Sequence, residues 1–197
     1  ENATPILLEG LRRESYRGYD SSGIVVFGEE AQCVKAVGKL EKLEEKLAES
    51  FPKGTMGIGH NRWATHGGVT EENAHPNGDC KGNIFVEPNG IVENFQILKE
   101  KLEAKGHIFR SQTDTEVLPH LIEHFFRGNL EEAVRKTLAL IKGTYGIAVI
   151  AKEDPGKIVA ARLSSPLVIS VNGSGGFVAS DPAALLSHSN RMVFLDD

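Results

Sequence analysis

Three histidines, an arginine and the protein's single tryptophan fall within the twenty residues from Gly57 to Pro76, GIGHNRWATHGGVTEENAHP. His60, His66 and His75 are residue types that exchange protons near neutral pH or ligate metals, and Arg62 is the type that grips a carboxylate. Five and then eight residues separate the histidines, which matches no compact zinc pattern, and no cysteine pair accompanies them. Histidines that hold loop backbone in place are therefore the simpler expectation. A stretch this polar between two strand-like segments still points to binding or chemistry, because function concentrates on loops carried by a rigid scaffold.

Asn89-Gly90 follows Pro88 and reads first as a turn, since Asn-Gly readily supplies positive φ. The sharper reading is an oxyanion site, with the Asn89 side-chain amide and the Gly90 N–H converging on a developing negative oxygen. Arg62 and Asp114 carry the charges that would hold the carboxylate and ammonium of a free amino acid, although helix capping alone accounts for Asp114. Cys80, in His-Pro-Asn-Gly-Asp-Cys-Lys-Gly, looks like part of a surface insertion, and Cys33 like a small apolar filler in a strand. Gly173-Ser174-Gly175-Gly176 joins two strands rather than a strand and a helix, so a hairpin turn is expected there instead of a phosphate cradle.

The elements that must position these residues alternate in blocks. Thr4-Pro5 reads as a helix start, followed by an amphipathic helix through Arg13. Strands are expected at 23–27, 31–37, 54–60, 83–87, 107–109, 145–151, 157–162, 167–171, 176–180 and 191–195. Leucines at 40, 43 and 47 mark a helix over 39–50, and helices follow over 95–105, to 127 and over 129–140. Thr113 and Glu116 have capping-box spacing, and Asp181-Pro182 caps a short helix. Hairpin-spaced strands beside consecutive helices favour an α+β arrangement of antiparallel sheets under helices, in one domain over 1–197.

Composition narrows the class. The 197 residues are 40% apolar and 25% charged, ordinary for a globular chain, with net charge −5. No basic footprint for nucleic acid is present, since Arg12-Arg13 is the nearest approach to one. No apolar run is long enough to span a bilayer and no secretory leader is visible, so no membrane partner is expected and the cytoplasm is the economical location. Two cysteines make no disulfide framework, and the sequons at Asn2 and Asn172 read as chance matches.

Several short motifs then fall in one order: Tyr16-Arg-Gly-Tyr-Asp-Ser-Ser-Gly23, Arg62-Trp-Ala-Thr-His-Gly67, Asn73-Ala-His-Pro76, Asn89-Gly-Ile-Val-Glu-Asn94 and Thr113-Asp-Thr-Glu116. Together with Ser165-Pro-Leu-Val-Ile169 and Ala179-Ser-Asp-Pro-Ala-Ala-Leu-Leu186, they resemble the glutaminase domain of the glucosamine-6-phosphate synthases over nearly the whole chain. That family, also called glutamine–fructose-6-phosphate aminotransferases (isomerizing), belongs to the class II glutamine amidotransferases.

The resemblance implies an N-terminal-nucleophile hydrolase fold, a four-layer αββα sandwich of two antiparallel sheets, with no cofactor and no metal. It implies a cysteine thiol at the processed N-terminus that attacks the side-chain amide of glutamine and forms a thioester. Ammonia would pass to a separate isomerase region of the parent chain, itself a homodimer, for hexosamine synthesis from fructose 6-phosphate. Asn89 and Gly90 would form the oxyanion hole, while Arg62 and Asp114 hold glutamine. Trp63, Thr65 and His66 would belong to the closing loop, His75 would support it, and Arg17 would lie near the N-terminal amine.

Three departures from the family pattern bear on this. The chain begins at Glu1, after what would be the family's first strand and its catalytic cysteine, and neither Cys33 nor Cys80 stands in that position. It ends at Asp197, before the glutaminase domain would finish and without isomerase regions. Glu87-Pro88 replaces the usual histidine before Asn-Gly, and Ser164 stands where glycine is common. A catalytically silent fragment is the leading expectation. The alternatives are a non-catalytic module that binds glutamine or a partner, and a glutaminase domain serving another acceptor.

Overall fold

The computed structural model describes residues 1–173, 175–189 and 191–197. In chain order the elements are α1 (Ala3–Arg13), β1 (Ser21–Phe27), β2 (Ala31–Val37), α2 (Leu40–Glu49), β3 (Met56–Arg62), β4 (Asn77–Gly78), β5 (Ile84–Val92), α3 (Phe95–Glu103), α4 (Val117–Phe125), α5 (Leu130–Leu138), β6 (Gly143–Ala151), β7 (Val159–Leu163), β8 (Val168–Asn172), β9 (Gly175–Ala179) and β10 (Val193–Phe194). Short 3-10 turns occupy Ser15–Arg17, Asp114–Glu116 and Pro182–Leu185.

Every residue of β1 is buried, and its side-chain alternation explains how. Ile24 and Val26 point into a core with Leu8 and Leu11 of α1 and Leu40, Leu43 and Leu47 of α2. Val25 and Phe27 point the other way, onto Phe85, Ala148 and Ile150. The same alternation splits the next sheet: Val86, Ile147 and Val149 face a third core built from α3, α4 and α5. Helices, sheet β2-β1-β3, sheet β4-β5-β6-β7 and helices thus stack in four layers, with all strand pairs in both sheets antiparallel. The expected αββα sandwich is observed. A further antiparallel sheet, β10-β8-β9, flanks it, and Ala184 and Leu185 of the nearby 3-10 turn pack against Val168.

Several local expectations are corrected. The α1 cap is Asn2, whose side chain accepts from the Thr4 N–H, while Thr4 Oγ1 donates to Pro52 O at 2.7 Å. Pro88-Asn89-Gly90 is no turn. β5 runs straight through it in register with β6, because pairing along the whole length outweighs the local preference. Proline is tolerated since β4 covers only Phe85 and Val86 on the other flank of β5. Thr113 and Glu116 form no capping box, for Glu116 turns back to accept the N–H groups of Arg110 and Ser111 at 2.8 and 2.7 Å. Residues 107–109 are not in a strand. In the turn at 173–176 and in the sequon at Asn172, Ser174 lies outside the described residues. Among the described residues no helix is long and apolar enough to cross a membrane.

Candidate active site

The end of β3, the middle of β5 and the Asp114–Glu116 turn meet around one cleft of about 320 Å³, a volume suited to a small ligand. All nine residues that the resemblance assigns to the site line it, Arg17, Arg62, Trp63, Thr65, His66, His75, Asn89, Gly90 and Asp114, and so does His60. Neither cysteine does.

Asn89 stands at the end of a hydrogen-bonded chain. Thr115 Oγ1 lies 3.0 Å from His75 Nε2, His75 Nδ1 lies 2.8 Å from His60 Nδ1, and His60 Nε2 lies 3.2 Å from Asn89 Oδ1. With the carbonyl end of Asn89 facing His60, each link has one donor when both imidazoles are neutral. Thr115 then donates to His75, His75 to His60, and His60 to Asn89. Burial enforces that state, lowering His60 to about 4 and holding His75 well below the usual imidazole range. The side chains of His60 and His75 thus bond to other side chains. Their ring nitrogens are spent on each other, on Thr115 and on Asn89, which commits the amide oxygen and leaves the Asn89 NH₂ as the free end.

Gly90 has φ +139°, and a Cβ there would stand 2.0 Å from Thr144 O. Only glycine allows this close backbone approach. Glu87, two residues before Asn89 on the same strand, is buried, and desolvation pushes its carboxyl up to about 8. Its Oε1 lies 3.5 Å from His60 Nε2.

The loop after β3 is held by Arg62, Asp20 and Asn73. Arg62, only 3% exposed, donates to the carbonyls of His66 (2.6 Å) and Gly68 (3.2 Å). Desolvation lowers its pKa, against the opposing charges of Asp20 and Asp114. Asp20 accepts the Ala64 N–H, and Asn73 Nδ2 donates to Gly68 O at 3.0 Å. Gly18 is part of the same support, since a Cβ there would meet Asn61 O at 2.6 Å. The signal for Asp20 was the Tyr-Arg-Gly-Tyr-Asp motif, which gave no role to its aspartate.

Asp114 Oδ2 accepts the Val92 N–H at 2.7 Å, and Oδ1 lies 3.7 Å from His66 Nδ1. Trp63, 61% exposed, leans on Tyr19 with ring centroids 5.3 Å apart. Arg17 donates to Ser180 Oγ at 3.0 Å, beside Glu14, whose carboxyl burial pushes up. The cleft thus gathers a cation and an anion, a free amide NH₂ and a strand glycine. That set can bind a zwitterion and stabilise an oxyanion next to it.

Comparison with known proteins agrees with this chemistry. Residues 60–187 match the family described as Glutamine amidotransferase domain. The chain is 48% identical, over its full length, to the glutamine–fructose-6-phosphate aminotransferase (isomerizing) of Methanothermobacter thermautotrophicus, and 52% identical to that of Thermus thermophilus. It spans about a third of the length of these relatives. Among solved structures, glutamine phosphoribosylpyrophosphate amidotransferase from B. subtilis superposes with a TM-score of 0.79 at 30% identity, over 94% of this chain and 41% of that one. A class II glutamine aminotransferase domain protein from Silicibacter pomeroyi shares the fold at TM-score 0.55 and 15% identity. With the family match running over most of its length and the layered sandwich in common, the chain belongs to the class II glutamine amidotransferase domain family.

Proposed function

We propose that this chain is the glutaminase part of a glutamine–fructose-6-phosphate aminotransferase, binding glutamine in the 320 Å³ cleft so that its side-chain amide is cleaved to glutamate and ammonia. The observation that carries the reading is the convergence of Arg62, Asp114, Asn89 and Gly90 on that one cleft. Asp114 Oδ1, free of the backbone bond that Oδ2 makes, takes the glutamine ammonium, and Arg62 faces the α-carboxylate. The Asn89 NH₂ and the Gly90 N–H receive the carbonyl oxygen as it becomes an oxyanion. Trp63 and Thr65 close over the bound substrate.

The thioester route needs a thiol at the cleft. Cys33 lies on β2, and Cys80 packs against His107 and His120. In our reading the nucleophile is the family's N-terminal cysteine, on a strand laid into the apolar groove beside β3, an edge strand of its sheet. Met56 and Ile58 of β3, Leu7 of α1 and Ala148 of β6 line that groove of about 490 Å³. The ammonia goes to an isomerase region that converts fructose 6-phosphate, in a cytoplasmic homodimer.

Isothermal calorimetry with L-glutamine tests the clamp. The 197-residue chain binds weakly and Asp114→Ala abolishes binding, whereas equal binding by both proteins refutes the assignment. Glutamate release by the 197-residue chain that Asn89→Ala abolishes would overturn the placement of the nucleophile. A second reading, a glutamine-responsive module without catalysis, is favoured by the position of both cysteines away from the cleft. The coding sequence upstream of Glu1 decides between them, according to whether it encodes Met-Cys-Gly in frame. The sequence downstream of Asp197 identifies the ammonia acceptor in the same way.

A further inference from the structure

Away from the cleft, Cys80, His107, His120 and Glu123 bring one sulfur, two imidazole nitrogens and one carboxylate oxygen within 4.8 Å of one another. They arrive from three places: the turn between β4 and β5, the irregular run after α3, and successive turns of α4. Cys80 Sγ lies 3.5 Å from His107 Nδ1 and 3.4 Å from His120 Nδ1. Glu123 Oε2 lies 3.1 Å from His107 Nδ1 and 3.7 Å from His120 Nδ1. A tetrahedral zinc ion with arms of about 2.3 Å to sulfur and about 2.0–2.1 Å to nitrogen and oxygen has edges of about 3.3–3.6 Å. The observed edges fall around those lengths.

We propose that these four side chains form a closed structural zinc site, independent of the glutamine cleft. The donor set suits zinc and excludes magnesium or calcium, which take oxygen ligands. Binding releases the thiol proton to solvent. Thiolate and carboxylate then balance the dication, and the two histidines stay neutral, so the partly buried cluster carries no net charge.

The surroundings fit. His120 is 1% exposed, and among the described residues its Nε2 has no hydrogen-bond partner within normal distance. That nitrogen faces Glu116 Oε1 at 3.6 Å, the carboxylate–histidine arrangement that orients a metal-bound ring. Glu116 is itself fixed by the N–H groups of Arg110 and Ser111 and by Ser111 Oγ at 2.7 Å. Cys80 N donates to Glu123 Oε2 at 3.3 Å, tying two of the ligands together. The ion would pin residues 107–112, which belong to no strand, directly before the turn that carries Asp114.

Cobalt(II) alone, added to the chelator-stripped, reduced 197-residue chain, tests the proposal. One equivalent should give the intense visible bands of tetrahedral cobalt and a thiolate-to-cobalt band in the near ultraviolet, both removed by zinc. Cys80→Ser should lose the near-ultraviolet band, and Cys33→Ser should keep it. Zinc alone should raise the melting temperature of the wild type and leave that of His107→Ala unchanged. Should Cys80→Ser fail to fold, Glu123→Gln serves instead, and it should weaken cobalt binding at least tenfold. Pale octahedral cobalt spectra, or a near-ultraviolet band that survives Cys80→Ser, would overturn the site.

Discussion

Asn89 has its carbonyl end committed to His60, and this single contact decides which end of the amide meets a ligand. In a chain that carries the N-terminal cysteine, Asn89→Ala should lower kcat by about 10²–10³-fold with little change in KM, the loss expected for one oxyanion donor. His60→Ala should cost less, since it misorients the donor without removing it; equal losses would mean that His60 acts directly. The same neighbourhood sets a pH dependence. Glu87 titrates at about 8 in the folded chain against 4.5 ordinarily, so the unfolded chain gives up this proton first as pH rises. Stability from Glu87 is therefore complete below pH 4.5 and is lost as pH climbs to 8. His60 does the reverse, because its fall from 6.5 to about 4 removes stability as pH drops through that window. Glu87→Gln should remove the alkaline slope, on the order of 5 kcal/mol by the shift alone. Urea midpoints at pH 5, 6.5 and 8.5 read it, and parallel slopes for wild type and variant would show that Glu87 is ionised when folded.

At the scale of elements, β5 is where local preference and tertiary pairing disagree. Gly90 sits in register with Tyr145 at φ +139°, where a Cβ would overlap Thr144 O. Gly90→Ala should therefore cost more than about 3 kcal/mol, a left-handed backbone penalty plus a steric clash that shifts β6. Leu43→Ala, in the core between α2 and β1, should cost about 2–5 kcal/mol. The second variant should keep its glutamine affinity and the first should not, as calorimetry on the folded fraction would show. This contrast also explains what the sequence could reveal. The leucine stripe at 40, 43 and 47 and the blocks of hairpin-spaced strands were readable because hydrophobic period encodes them directly. β4 is two residues long, too short to carry a period. Asn89-Gly90 looked like a turn because only its pairing partners, Gly146 and Tyr145 far along the chain, make it a strand. The cleft residues were legible as ordered motifs, yet the work of His60 and His75 was not, since it depends on which ring nitrogen meets which neighbour. Cys80, His107, His120 and Glu123 lay hidden for a similar reason, because only the last two share a helix.

At the scale of the whole molecule, two sheets are clamped face to face while the edge of one remains open. In sheet β2-β1-β3, β3 has β1 on one side and, among the described residues, no strand on the other. Beside it runs the 490 Å³ groove, walled by apolar side chains of α1, β3 and β6 and by Ile169 and Phe177 of the outer sheet. The groove reaches His60 and Glu87, next to the Asn89 end of the cleft. A strand in this seat would gain ladder bonds along β3 and bury two or three apolar side chains, about 1.5–3 kcal/mol each. It would also bring its first residue towards the oxyanion donors. Extending the chain before Glu1 by a strand that begins with cysteine should then raise the melting temperature by at least about 5 °C and confer glutamate release. The same strand beginning with alanine separates the two effects. It should keep the thermal gain and release no glutamate, because the strand is seated but brings no thiol. Activity without thermal stabilisation would place the cysteine strand somewhere other than this groove. Stabilisation without activity in the cysteine form would leave the groove filled and refute the geometry proposed for the cleft.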